Sequence, residues 1–163
     1  MGRTGLTIVL LSAGVAAAAC GWSPSAPPPP KPDTCQPSDG PAEGTVQQAI
    51  AGVPAAGGGA WVQTAAGHTT DCGLSWVQIG PAQPEPNSPG QVLFFAGDTP
   101  LGPATPEPRP YITVLPPGED TVTVQYQWQQ ADEAPCCPTG IGTVRFRLGQ
   151  DGTLESLDPV PGR

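Results

Sequence analysis

From Thr121 to Trp128 apolar and polar residues alternate without a break: Val122, Val124, Tyr126 and Trp128 fall on one side, Thr121, Thr123, Gln125 and Gln127 on the other. Successive side chains of an extended chain point to opposite faces, so this octet makes a strand with one dry and one wet side. A second stretch repeats the pattern, with Val144, Phe146 and Leu148 set between Arg145 and Arg147. Gly149-Gln150-Asp151-Gly152 then supplies turn residues for a hairpin into Thr153 to Leu157. Strands with one wet face belong to antiparallel sheets.

Further β-forming segments run from Ala60 to Gln63, Leu74 to Ile79, Gln91 to Ala96 and Tyr111 to Leu115. One helix is predicted near Pro41, with Glu43 at its positive end and Val46, Ala49, Ile50 and Val53 on one face; Pro54 and Gly57-Gly58-Gly59 end it. The expected fold is α+β, an antiparallel sheet of about five to seven strands with one amino-terminal helix packed on it. An all-β sandwich or small barrel is the second choice. With 24 prolines and 22 glycines the chain is loop-rich and its core small.

The amino terminus follows a different rule. Arg3 precedes an uncharged apolar run from Leu6 to Ala19, the layout of an export signal. It is too short for a bilayer-spanning helix, which needs about 20 apolar residues. Ala17-Ala18-Ala19-Cys20 resembles a lipobox, where the cysteine thiol is alkylated by diacylglycerol before the signal is cut. At about 0.8 kcal/mol per buried methylene, two or more acyl chains hold a protein to a membrane durably. The expectation is a signal peptide over 1–19, a lipidated Cys20 with a Pro-rich tether over 20–34, and one globular domain over 35–163. Pro27-Pro28-Pro29-Pro30 favours an extended tether. The predicted location is the outer face of the cell membrane or cell envelope.

Setting Cys20 aside leaves Cys35, Cys72, Cys136 and Cys137, an even number in a chain sent to an oxidising compartment, which reads as two disulfides. Adjacent Cα atoms stand only about 3.8 Å apart across a trans peptide, whereas disulfides usually span about 4.4–6.8 Å. The expectation is therefore that Cys35 and Cys72 each bond to one member of the Cys136-Cys137 pair.

Fourteen acidic residues against six basic ones give a net charge of −8, which argues against nucleic acid as a partner, since binding needs a basic face. His68, the only histidine, lies near Asp71, Cys72 and Ser75, so a Ser-His-Asp triad or Cys-His pair can be written, yet no nucleophile motif surrounds them. His68 follows Ala65-Ala66-Gly67 and is expected in an exposed loop. A zinc site from His68, Cys72, Cys136 and Cys137 lacks paired CxxC spacing, and disulfides explain the same cysteines, so neither a metal nor a cofactor is expected. Candidate binding residues are Trp61, Trp76 and Trp128, some of which, with Tyr126, could line a groove for a lipid or glycan, and Arg145 and Arg147 on the wet face of one strand.

Asp71-Cys72-Gly73-Leu74-Ser75-Trp76-Val77, Val92-Leu93-Phe94-Phe95, Val122 to Trp128, and Cys136-Cys137-Pro138-Thr139-Gly140 running on to Val144-Arg145-Phe146 stand in a characteristic order. In these segments, spanning roughly Cys35 to Pro161, the chain resembles the LppP/LprE family of mycobacterial and related actinobacterial lipoproteins. The resemblance implies a lipid-modified cysteine and an envelope location, and carries over no catalytic residue. The functional expectation is a lipid-anchored envelope protein, not an enzyme, whose domain is a binding or structural module for an envelope protein, glycan or lipid. The alternatives are a lipid or glycan carrier with an aromatic-lined cavity, and a hydrolase-like enzyme using His68 and Asp71. Lipoproteins as a class also imply recognition by host lipopeptide receptors.

Overall fold

A computed structural model describes residues 32–55 and 59–161; the signal segment, Cys20 and most of the tether lie outside the described residues. Among the described residues a short 3-10 turn (Pro37–Asp39) and one α-helix, α1 (Glu43–Ala51), precede nine strands: β1 (Trp61–His68), β2 (Ser75–Pro81), β3 (Pro89–Ala96), β4 (Thr99–Pro103), β5 (Arg109–Pro110), β6 (Ile112–Val114), β7 (Thr121–Trp128), β8 (Gly140–Leu148) and β9 (Leu154–Ser156). The first sheet has the order β1-β2-β3-β4, with β5 also paired to β3, and the second has the order β6-β7-β8-β9. All the pairings are antiparallel.

The antiparallel pairing and single amino-terminal helix agree with the α+β expectation, but the strands form two sheets instead of one. The reason lies in β2 and β3, which are buried on both faces. Val92 and Phe94 meet Trp76, Val122, Val124, Tyr126, Val144 and Phe146 in the core between the sheets, where the Phe94 and Phe146 ring centroids stand 4.9 Å apart. Leu93 and Phe95, pointing the other way, join Val77 and Ile79 against Val46 and Ile50 of α1. A strand apolar on both sides needs a layer on each, and the helix alone covers only one. The order is helix, first sheet, second sheet, so the sandwich held as second choice describes how the two sheets meet.

The alternating residues behave as their period demands: Val122, Val124 and Tyr126 are buried on β7 and Val144 and Phe146 on β8, while Arg145 and Arg147 are exposed. Two local expectations change. β1 runs through Ala65, Ala66 and Gly67 to His68, so His68 ends a strand instead of lying in a loop, held there because it pairs with Ser75 of β2. The helix begins at Glu43, two residues past Pro41, and the preceding Ala42 N–H is taken by Asp98 at 2.8 Å.

The disulfide pairing is also different. Cys35 bonds to Cys72, with Cα atoms 5.6 Å apart, and Cys136 bonds to its neighbour Cys137, with Cα atoms 3.8 Å apart. The turn between β1 and β2 accounts for the first bond. Thr69 N–H reaches Leu74 O and Cys72 N–H reaches Thr69 O, while Asp71 Oδ1 accepts from Thr69 Oγ1 and Gly73 N–H. Cys72, at φ +63°, is thereby presented to the segment carrying Cys35. The adjacent cysteines, both exposed in the β7–β8 loop, are left to each other, and the two layers are not cross-stapled.

Candidate functional site

The two sheets are joined at Tyr111. Arg109 and Pro110 belong to the first sheet and Ile112 to the second, and the residue between them takes φ +55°, a left-handed conformation that a bulky side chain adopts only when its surroundings hold it. They do so from two sides: Gln127 N–H donates to Tyr111 O, and the Tyr111 hydroxyl donates to Pro135 O.

Beside this crossing lies a cleft of about 430 Å³ whose walls include Pro108, Arg109, Tyr111, Tyr126, Trp128 and Gln129. Its position follows from the alternation of β7. Val122 and Val124 lie deep in the inter-sheet core, Tyr126 is 2% exposed at its margin, and Trp128, next on the same face, is only half-buried. The indole lies over Gly140, its cross-strand partner, where an added Cβ would come within 2.5 Å of the ring. Glycine there lets Trp128 lie flat and form a wall.

The polar groups are placed in depth. The Tyr126 hydroxyl is buried and has no hydrogen-bond partner among the described residues. Burial pushes its pKa up to about 12, the nearby Arg109 charge opposing part of the rise, so the phenol keeps its proton at neutral pH and remains a donor. The Arg109 guanidinium carbon lies 5.7 Å from the Tyr126 ring centre, within cation–π range, and one Nη donates to Pro161 O at 2.9 Å. Glu133 pins the loop above: its carboxylate accepts from Gln130 N–H, Thr139 N–H and the Thr139 hydroxyl. These bonds, that from Gln130 foremost, hold the Glu133 carboxyl below its usual range.

The other predicted residues are distributed elsewhere. Trp61 donates Nε1–H to Pro54 O at 3.0 Å and packs on the helix-side core. Trp76 is buried between the sheets, lying over Gly67, and its Nε1 has no partner among the described residues. The three tryptophans therefore do not share one groove. Arg145 forms a paired contact with Asp158, and Arg147 meets Glu155 at 2.8 Å. The Asp158 carboxyl is held down to about 2, first by its bond from the Arg145 side chain.

His68 and Asp71 do not meet in the structure: Asp71 is turned to Thr69 and Gly73. His68 Nδ1 lies 3.0 Å from Thr69 O and Nε2 3.2 Å from Asp33 Oδ2. Both ring nitrogens are engaged, and Cys72 is in a disulfide. A broad groove of about 700 Å³ passes these residues, bordered also by Gln36, Gln47, Gln63 and Trp76. A smaller apolar recess of about 220 Å³ lies among Val53, Leu93, Phe95, Pro100 and Pro103. Sequence reasoning selected Trp128 and Tyr126, which do share this cleft, but missed Arg109 and Tyr111 as site residues, because only the crossing between sheets brings them there. The Arg109-Pro110-Tyr111 stretch before an apolar run was the available signal.

A family profile described as LppP/LprE lipoprotein matches residues 66–151, a span that contains the whole cleft. The chain is 54% identical over 149 residues, 91% of its length and 85% of the relative's, to a protein of Mycobacterium bovis named lipoprotein LppP. It has the same identity and coverage with the proteins of that name from two strains of Mycobacterium tuberculosis. No solved structure matches the chain.

Proposed function

Because this chain belongs to the LppP/LprE lipoprotein family, we propose that it is exported, held at the cell envelope by acyl chains on Cys20, and serves there as a non-catalytic module that binds a saccharide ring in the cleft at Trp128. The observation that carries the binding reading is Tyr126, a residue of the cleft lining whose buried hydroxyl is a donor with no partner among the described residues. Leaving such a group unsatisfied costs about 1–3 kcal/mol, a cost that a ligand acceptor removes.

Saccharide chemistry fits the rest of the lining. A sugar ring offers C–H faces to an aromatic wall and hydroxyls to polar groups, and the cleft supplies Trp128 and Tyr111 for the first and Arg109, Tyr126 and the Gln129 region for the second. Its volume falls within the roughly 300–1,000 Å³ usual for ligand sites, whereas the apolar recess beside α1 falls below that range. The apolar recess is thus too small for a lipid cargo, and it is the aromatic and polar lining of the cleft that suits a saccharide. The non-catalytic reading rests on His68, whose ring nitrogens face Thr69 O and Asp33 while Asp71 is turned elsewhere.

The test is a titration of the protein with glucose, galactose and N-acetylglucosamine oligomers, read by NMR on the Trp128 indole N–H. A saccharide of this set should shift that signal, with Trp128→Ala abolishing binding and Tyr126→Phe weakening it by about tenfold. Unchanged affinity in Tyr126→Phe, or ligands that shift Trp76 and leave Trp128 alone, would reject the cleft. For the anchor, Cys20→Ser should release the protein from membranes and remove the acyl mass from the intact chain.

A further inference from the structure

Away from the cleft, Asp33, Cys35 and His68 bring one carboxylate oxygen, one sulfur and one ring nitrogen within 4.8 Å of one another, and the sulfur of Cys72 is bonded to that of Cys35. We propose that these four residues form a zinc site whenever the Cys35–Cys72 disulfide is reduced, so that disulfide and zinc are alternative braces at the same corner of the fold.

The geometry is that of ligands already turned toward a common ion. Thr69 O can only accept, so His68 Nδ1 carries the proton in the 3.0 Å contact between them, and Nε2 is aimed at Asp33. A ring N–H given to a backbone carbonyl is how metal-bound histidines are commonly oriented. Nε2 and Asp33 Oδ2 stand 3.2 Å apart, and two ligands about 2.0–2.1 Å from a tetrahedral ion stand roughly 3.3 Å apart. The second Asp33 oxygen accepts Cys35 N–H at 3.0 Å, which orients the carboxylate.

The cysteines decide when the site exists. A disulfide sulfur is a poor ligand, and His68 with Asp33 gives only two. A dithiol reductant that transfers two electrons and two protons to the Cys35–Cys72 bond leaves two thiols and is itself oxidised to a disulfide. Zn²⁺ then displaces the two thiol protons and completes a set of two sulfurs, one nitrogen and one oxygen, a composition suited to tetrahedral zinc. The site is open to solvent, the Asp33 side chain being 65% and the His68 side chain 35% exposed.

The experiment uses the full chain with Cys136→Ser and Cys137→Ser, which removes the other thiol pair. Zinc affinity is measured by chelator competition before and after reduction, and Co²⁺ absorption reports the ligand geometry. The expected result is one zinc per reduced chain, none on the oxidised chain, an intense tetrahedral Co²⁺ spectrum, and affinity lowered at least about tenfold by His68→Ala and by Asp33→Ala. Far-UV circular dichroism should show zinc restoring order lost on reduction. Equal zinc binding to the oxidised chain, no binding after reduction, or binding indifferent to both substitutions would overturn the proposal.

Discussion

Asp98, in the turn between β3 and β4, accepts the backbone N–H of Ala42, 56 residues earlier in the chain, at 2.8 Å and so caps the helix that follows it. Ala42 has no side-chain cap of its own to offer. A hydrogen bond from Thr45, followed by that from Ala42, holds the Asp98 carboxyl below its ordinary value. The folded-state pKa is the lower one, so this contribution to stability is complete above the ordinary carboxylate range and is lost as pH falls through the folded value. Asp98→Ala should lower the melting temperature by roughly a few degrees at pH 7, with the difference from the parent shrinking in acid. A pH series of thermal melts on both proteins checks it.

Gly67 and Gly140 each lie under a tryptophan, yet the same substitution should act differently at the two. A Cβ on Gly67 would sit 2.8 Å from the Trp76 ring, and Trp76 is packed between the sheets where it cannot yield. Gly67→Ala should cost about 1–3 kcal/mol of stability, as overpacked cores do. Trp128 is half-buried and can rotate outward, so Gly140→Ala should cost less while destroying the cleft wall. Urea denaturation separates the two, and the emission of Trp128 should move to longer wavelength only in Gly140→Ala.

Alternation in β7 and β8 gave strands, facing and wet side directly, because a period of two leaves one arrangement. The segment Gln91 to Ala96 reads as a strand, but that both its faces are covered, and by which layers, is a matter of long-range packing, so the sandwich stands only as the second choice. Trp128 and Tyr126 are legible as candidates; Arg109 is not, since its approach to Tyr126 depends on the left-handed Tyr111. The Asp98 cap and the His68–Asp33 contact likewise join residues that no local pattern connects.

Asp158 offers a test of the second sheet's margin. Its carboxyl, held down to about 2 by the Arg145 side chain and the Arg145 N–H, ties the segment after β9 back to β8. The depressed folded value means that the stabilisation is fully present above the ordinary carboxylate range and disappears as pH falls through about 2. In Arg145→Ala the Asp158 titration should return toward the ordinary carboxylate range, which NMR of the side-chain carboxyl can follow. A midpoint that stays near 2 would mean that the Arg145 side chain is not the cause.

The two disulfides should contribute very unequally, for a reason that does not depend on their surroundings. A cross-link stabilises chiefly by restricting the unfolded chain, and the restriction grows with the loop it closes. Cys35 and Cys72 are separated by 37 positions, for which chain entropy gives an upper value of about 4 kcal/mol; Cys136 and Cys137 are neighbours and close essentially no loop. Cys35→Ser with Cys72→Ser should therefore lower unfolding free energy by up to about 4 kcal/mol, enough to unfold much of a small loop-rich domain. Cys136→Ser with Cys137→Ser should leave global stability nearly unchanged, because the surrounding loop is held by Glu133 through Gln130 and Thr139. Guanidinium denaturation of the two double variants, with non-reducing peptide mapping of the parent, decides the matter: equal losses, or peptides linking Cys35 or Cys72 to the adjacent pair, would mean that the layers are cross-stapled after all.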